Sequence, residues 1–75
     1  INVNLVPVGA RAVISRVNDD NNELLQTLQT HHAMIDSIIT VRALTADAIT
    51  LQADGCEAFE ISTTDADYIR VTRVG

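Results

Sequence analysis

The two histidines of this chain and a nearby aspartate are the side chains most able to bind a metal ion. His31 and His32 are adjacent and Asp36 follows, all within the segment THHAMIDSI at residues 30–38. A transition-metal site usually needs three or four ligands at about 2 Å from the ion. Neighbouring side chains on a helix point roughly 100° apart, so adjacent histidines seldom bind one ion. His31, His32 and Asp36 are therefore candidate ligands that lack an evident further partner. The alternative is structural: the segment ends a helix and begins a strand.

Catalytic patterns are absent from the sequence. Ser15, Ser37 and Ser62 fall in predicted strands with no nucleophile motif around them. The sequence has no phosphate-binding loop and no dinucleotide fingerprint. Asp65 and Asp67 are predicted to cap a short turn rather than to perform acid-base chemistry. We therefore predict that the chain is not an enzyme.

Length and composition limit the elements that can position these residues. A chain of 75 residues is predicted to form a single domain, residues 1–75. A domain of this size buries only about 60% of its unfolded surface, which leaves little room for a deep cleft. With 47% apolar residues but only one Tyr and one Phe, the core must consist of Val, Ile, Leu and Ala.

Charge and cysteine content indicate where the chain works. Ten acidic residues against five arginines and no lysine give a net charge of -5, which disfavours direct binding of nucleic acid. Cys56 is the single cysteine, so no internal disulfide is possible and we expect an unreactive thiol in a reducing compartment. No apolar run approaches the roughly 18 residues of a membrane helix. We expect a cytoplasmic chain without membrane insertion. Because it does not begin with Met, we expect a processed chain or a piece of a longer one.

The first half of the chain predicts a strand, a helix and a second strand. Residues 10–17 alternate in polarity after the turn residues Pro7 and Gly9, as a strand does. The Asp and Asn residues at positions 18–22 favour a helix start. Leu24, Leu25 and Leu28 then follow at a spacing that places them on one helical face, which predicts a short amphipathic helix over residues 22–30. Residues 37–44 are rich in β-branched side chains and predict the second strand.

The second half predicts a hairpin and a final strand. A two-residue turn at Asp54-Gly55 would separate the apolar residues of the two arms onto opposite faces. A three-residue connection, residues 53–55 with a left-handed Gly55 as a bulge, pairs Ile49 with Phe59 and gives both arms a common apolar face. A single turn at residues 64–67 and a strand at residues 68–74 complete the chain.

These elements predict a mostly β fold with one short helix, closed as a small five-stranded barrel, because closure removes exposed strand edges. The predicted core includes Val13 or Ile14, together with Leu24, Leu28, Ile39, Val41, Ile49, Leu51, Phe59, Ile61, Ile69 and Val71.

The order of these segments resembles the FeoA family, the small SH3-like barrels of bacterial ferrous iron uptake. The resemblance runs from Leu5 to Val71, through LVPVGARAVISRV, ELLQTLQT, SIITVRA and ITLQADGCEAFEIS. It ends in ADYIRV, which contains the family pattern A-x-x-I-x-V. Family members usually have glycine after the helix and before the second strand, where this chain has His32 and Asp36. Histidine and aspartate tolerate a left-handed backbone, so both residues are predicted to replace those glycines.

The resemblance implies two functions. The first is a non-enzymatic accessory protein of ferrous iron transport that binds the cytoplasmic part of the iron transporter. The second is the C-terminal SH3-like domain of an iron- or manganese-dependent, DtxR-type repressor, whose partner would be the rest of that regulator chain. Direct iron binding or carriage is a third possibility by family association, and the poor ligand set disfavours it. An upstream helix-turn-helix in the reading frame would indicate the repressor, and a neighbouring transporter gene the accessory protein.

Met34 and Ile35 are the candidate partner-binding residues. They lie in the segment HHAMID, an otherwise polar corner between the helix and the second strand. A flexible methionine and a branched aliphatic side chain suit a protein contact surface better than a solvated loop. The alternative is that Ile35 folds back to plug the end of the barrel.

Overall fold

Five strands form most of the chain in the computed structural model, which describes residues 1–17 and 22–74. The strands are β1 (Arg11–Val17), β2 (Ile38–Leu44), β3 (Ala48–Ala53), β4 (Ala58–Ser62) and β5 (Ile69–Arg73). The helices are α1 (Asn22–Thr30) and the single-turn α2 (Thr63–Ala66), and a 3₁₀ turn (Val3–Leu5) precedes β1. The bounds of α1 agree with the prediction, whereas its predicted cap at residues 18–21 lies outside the described part of the chain. None of the helices within that part is long and apolar enough to span a membrane.

The strands form one antiparallel sheet in the order β4-β3-β2-β1-β5, and this is the SH3-like architecture. The sheet does not close into a complete barrel as predicted, because the edge strands β4 and β5 do not pair. The first two residues instead lie along β5. The Val71 amide donates to the Ile1 carbonyl at 2.7 Å, and Asn2 forms an isolated bridge with Arg70.

A cluster of polar side chains ties the N-terminal segment to α2. The side-chain amides of Asn2 and Asn4 each donate to Asp67 Oδ1 at 2.9 Å, and that of Asn4 also donates to the Thr63 carbonyl at 2.9 Å. The helix itself is capped by Ser62, whose hydroxyl accepts from the Asp65 amide at 3.1 Å. Asp67 is the C-cap residue of α2, as predicted, and its amide donates to the Thr63 carbonyl at 3.2 Å. Its carboxylate joins two segments that are distant in sequence.

Irregular pairing bends the sheet around its core. The register shifts between Ile14 and Arg16 in β1 and between Val41 and Ala43 in β2. Each extra residue bends its strand and increases the local twist, which lets a five-stranded sheet curve around a small core.

Every residue predicted for the core is buried. Of the two alternatives in β1, Ile14 is buried and Val13 is only half-buried. The core also contains apolar residues that were not in the predicted set: Val3, Val6, Ala12, Val17, Ala33, Ala53 and Ala66. Val3 lies in the 3₁₀ turn and Val6 caps its end, and the sequence pattern did not indicate this turn. The N-terminal segment thus contributes to the core as well as covering β5.

The hairpin keeps the predicted apolar face but not the predicted pairing. Gly55 has φ of 79°, as predicted for a left-handed position. The strands pair Leu51 with Phe59 and Ile49 with Ile61, whereas the prediction paired Ile49 with Phe59. The last pair of the ladder joins Gln52 to Ala58, so five residues, 53–57, connect the two strands instead of the predicted three. The reason is that β3 extends through Ala53, which is buried and pairs with β2, so the turn begins one residue later.

Candidate partner-binding site

The C-terminal end of α1 is fixed by a left-handed cap. His32 has φ of 60°. Its amide donates to the Gln29 carbonyl at 3.1 Å, and the Ala33 amide donates to the Leu28 carbonyl at 2.8 Å. This pair of bonds is the Schellman motif, in which a left-handed residue lets the chain satisfy the last helical carbonyls. Ala33 and Leu28 are both buried, which supplies the apolar contact that accompanies the motif. The prediction that His32 takes the place of a glycine is confirmed.

A second left-handed residue turns the chain into β2. Asp36 has φ of 73°, and the Ser37 amide donates to the Met34 carbonyl at 2.9 Å across the turn. A positive φ at the third position of such a turn is usually supplied by glycine. The prediction for Asp36 is confirmed as well. Its amide also donates to the Ile14 carbonyl at 2.8 Å, which anchors the turn to β1.

The two histidines contribute to different surfaces. The His31 ring stacks on the ring of Phe59, with centroids 4.4 Å apart and planes within 5°. His32 is exposed and borders a shallow depression that also contains Asp36 and Asp54. Within residues 1–17 and 22–74, no three His, Cys, Asp or Glu side chains are arranged to hold a metal ion. His31, His32 and Asp36 stay candidate ligands on their residue types alone.

Met34 and Ile35 border an apolar depression between α1 and the turn into β2. We call it the corner groove, and it is lined by Val17, Leu25, Leu28, Gln29, Ala33, Met34 and Ile35. Its volume is about 250 Å³. Met34 and Ile35 keep 52% and 57% of their surface exposed, so Ile35 does not plug the end of the barrel. The buried Ala33 takes the inward position instead.

The remaining lining residues were not predicted for this surface. Leu25 was assigned to the apolar face of the helix, but it is only half-buried and packs at the margin of the core. The signal for it was present: Leu25 lies about 100° around the helix from Leu24, so both cannot point equally into a small core. Val17, the last residue of β1, completes the groove from the sheet side.

A family model described as the FeoA domain matches residues 1–73. A search of curated proteins found no match. One similar solved structure is a manganese-dependent transcriptional repressor in complex with manganese, with a TM-score of 0.86 and 18% identity over 99% of this chain and 36% of the repressor. The chain therefore spans about a third of that repressor's length.

Two further similar structures are FeoA proteins. An iron uptake regulatory protein (FeoA) gives a TM-score of 0.82 at 15% identity, covering 99% of this chain and 97% of its own. The FeoA protein from Chlorobium tepidum gives 0.86 at 16% identity, covering 100% and 71%. The fold is thus that of a small, mostly β, SH3-like domain. On the family match over residues 1–73, the chain belongs to the FeoA domain family.

Proposed function

We propose that this chain is a non-enzymatic interaction module of bacterial ferrous iron transport that binds the cytoplasmic part of the iron transporter. Membership of the FeoA domain family supports the link to iron transport. Proteins of this family and the similar regulator domains are not enzymes. The proposal locates the chain in the cytoplasm, where it would meet the transporter.

The corner groove is the observation that carries this proposal. Met34 and Ile35 expose more than half of their surface beside an apolar depression. Hydrogen bonds at both ends of the corner, at Ala33 and at Ser37, hold the backbone in place. A fixed backbone lowers the entropy lost on binding, and a methionine adapts its shape to the partner.

In this proposal ferrous iron is the cargo of the transporter and not a resident ligand of the chain. His31 stacks on Phe59 while His32 borders a different depression. Because the two imidazoles lie at different surfaces, they form a poor site for an ion that needs several converging ligands.

The test is a binding titration with the purified cytoplasmic region of the ferrous iron transporter from the same organism. We expect Met34→Asp and Ile35→Asp each to weaken binding about tenfold or more, as loss of a central apolar contact does. Both side chains are exposed, so the melting temperature should stay nearly unchanged.

The matched control is Val8→Asp, because Val8 is exposed to the same extent as Ile35, 57%, but does not line the corner groove. It should bind like the unchanged chain. Equal weakening by Val8→Asp, or full binding by Met34→Asp, would count against the groove.

A second candidate function is the C-terminal domain of a metal-dependent repressor. The similarity to the manganese-dependent repressor, of which this chain spans about a third, favours it. In that case the reading frame contains an upstream helix-turn-helix region, and Met34→Asp weakens contact with the rest of the regulator instead of with a transporter. Sequencing the complete reading frame separates the two functions.

A further inference from the structure

The positive charge of this acidic chain is confined to three neighbouring strands. All five basic residues are arginines: Arg11 and Arg16 in β1, Arg42 in β2, and Arg70 and Arg73 in β5. The order β2-β1-β5 makes these strands adjacent, and none of them contains Asp or Glu. A chain with a net charge of -5 therefore carries a basic band on one part of its sheet.

The strand register shows which of these side chains share a face. Side chains of directly paired residues lie on the same side of an antiparallel sheet. Arg16 pairs with Arg70, and Arg11 pairs with Thr40. Val13 lies between them and pairs with both Ile38 and Thr72. We call this set the arginine face: Arg11, Val13, Arg16, Ile38, Thr40, Arg70 and Thr72. Because Ala12, Ile14 and Val17 of β1 are buried, this face lies opposite the core.

The pairing of Arg16 with Arg70 is unfavourable for the fold. Like charges directly opposite each other in neighbouring strands destabilise a sheet. The one ion pair in residues 1–17 and 22–74 joins Arg11 to Asp54 at 2.6 Å, so no described carboxylate lies within ion-pair distance of Arg16 or Arg70. Local features that cost stability are expected at functional sites, so this pair marks the face as a candidate binding surface.

We propose that the arginine face binds a carboxylate-rich segment of a partner protein. Guanidinium groups match carboxylates in planar, two-bond geometry. The half-buried Val13 and Ile38 lie between the arginines and offer an apolar contact to the same segment. This inference does not rest on the corner groove or on the proposed transporter.

Charge selects this partner over three others. A nucleic acid or an anionic lipid surface presents continuous phosphate charge, which would also meet the ten acidic residues of the chain. Contact between the arginine face and the acidic surface of a second copy would be heterologous, and such contacts tend to grow into open filaments. A short acidic segment can instead lie on Arg16 and Arg70, which have no described carboxylate within ion-pair distance.

The probe is a fluorescein-labelled hexaglutamate peptide, titrated by anisotropy against the 75-residue chain at about 20 mM salt, where exposed charges are weakly screened. We expect saturable binding that salt removes. Arg70→Gln should weaken it about three- to fivefold, the range for one exposed ion pair, and Arg16→Gln combined with Arg70→Gln should weaken it further. The melting temperature of Arg70→Gln should be unchanged or higher, because a like-charge pair is removed.

The matched control is Ala58→Glu, which changes the net charge by the same amount as Arg70→Gln. Ala58 is exposed and lies in β4, at the other edge of the sheet. This variant should bind the peptide like the unchanged chain. If Ala58→Glu weakened peptide binding as much as Arg70→Gln does, the loss would be an effect of net charge alone, and the proposal would be overturned. The proposal would also be overturned if the chain did not bind the peptide, or if it bound a thymidine 12-mer or phosphatidylglycerol vesicles more tightly. Self-association in sedimentation without peptide binding would contradict it as well. A clear fall in the melting temperature of Arg70→Gln would have the same consequence.

Discussion

Two non-glycine residues hold a left-handed backbone at the corner between α1 and β2. This conformation costs roughly 1–2 kcal/mol for an ordinary L-residue. Replacing His32 or Asp36 with glycine removes that cost, although glycine also gains disorder in the unfolded chain. We expect His32→Gly and Asp36→Gly each to raise the free energy of unfolding by about 0.5–1 kcal/mol, measured by urea denaturation.

The control for these variants is Gln26→Gly, at an exposed position inside α1. Glycine there should lower the free energy of unfolding by about 1 kcal/mol. If His32→Gly destabilised the chain as much as this control does, the left-handed cap would not be a source of strain.

Whether the chain binds ferrous iron can be tested at its two histidines, His31 and His32. We expect anaerobic titration with ferrous iron to show no stoichiometric binding by calorimetry and no rise in melting temperature. A ligand that binds the native state tightly would stabilise it by mass action. The opposite outcome is specific: a melting temperature that rises with iron, and loses this response in the His31→Ala, His32→Ala double variant, would make both histidines ligands.

Residue types predicted the backbone of the corner and its two candidate contact residues, Met34 and Ile35, but not the groove beside them. His and Asp at positions that glycine usually occupies are informative about φ, because few residues tolerate positive φ. The corner groove depends on how far α1 tilts against β1, and so on whether Leu25 points inward or sideways. The spacing of residues along one helix does not determine that tilt, because the tilt is set by how the helix packs against the sheet.

At the scale of the element, α1 depends on burying its leucines. We expect Leu28→Ala to lower the free energy of unfolding by roughly 2–5 kcal/mol, because Leu28 is buried in the core and truncation leaves a cavity. The measurement is chemical denaturation. Leu25→Ala is the matched control on the same helix. Leu25 is half-buried, so its truncation should cost clearly less. Equal losses would show that α1 packs differently from the structure.

The hairpin shows what alternation along a strand can and cannot predict. A shift of the register by two residues leaves every side chain on its face. The common face of Ile49, Leu51, Phe59 and Ile61 could therefore be predicted from the sequence. The choice between two registers with the same parity could not, because it depends on Ala53 pairing with β2, a contact between separate parts of the chain.

The whole molecule relies on its N-terminal segment to cover one edge of the sheet. Asp67 accepts hydrogen bonds from Asn2 and Asn4, which fixes the segment that lies along β5. We expect Asp67→Ala to lower the free energy of unfolding by about 1 kcal/mol, a usual value for exposed hydrogen bonds. Hydrogen exchange at the Val71 amide, which donates to Ile1, should become faster.

Asp47→Ala is the control for this edge, since it removes the same charge from another exposed position. It should leave exchange at Val71 unchanged. Unaltered exchange in Asp67→Ala would show that the segment stays in place without the carboxylate. The sequence did not predict this arrangement, because a 3₁₀ turn of three residues is too short to give a periodic pattern.

The opposite edge of the sheet is left without a partner strand, since β4 pairs only with β3 in the described part of the chain. An uncovered strand edge can recruit the same strand of another molecule and start fibril growth. Glu60 lies in the middle of β4, between Phe59 and Ile61, and Glu57 immediately precedes the strand. Two strands meeting at this edge would bring these carboxylates together, and their repulsion opposes the encounter. We therefore expect Glu60 to oppose aggregation of the chain in concentrated solution.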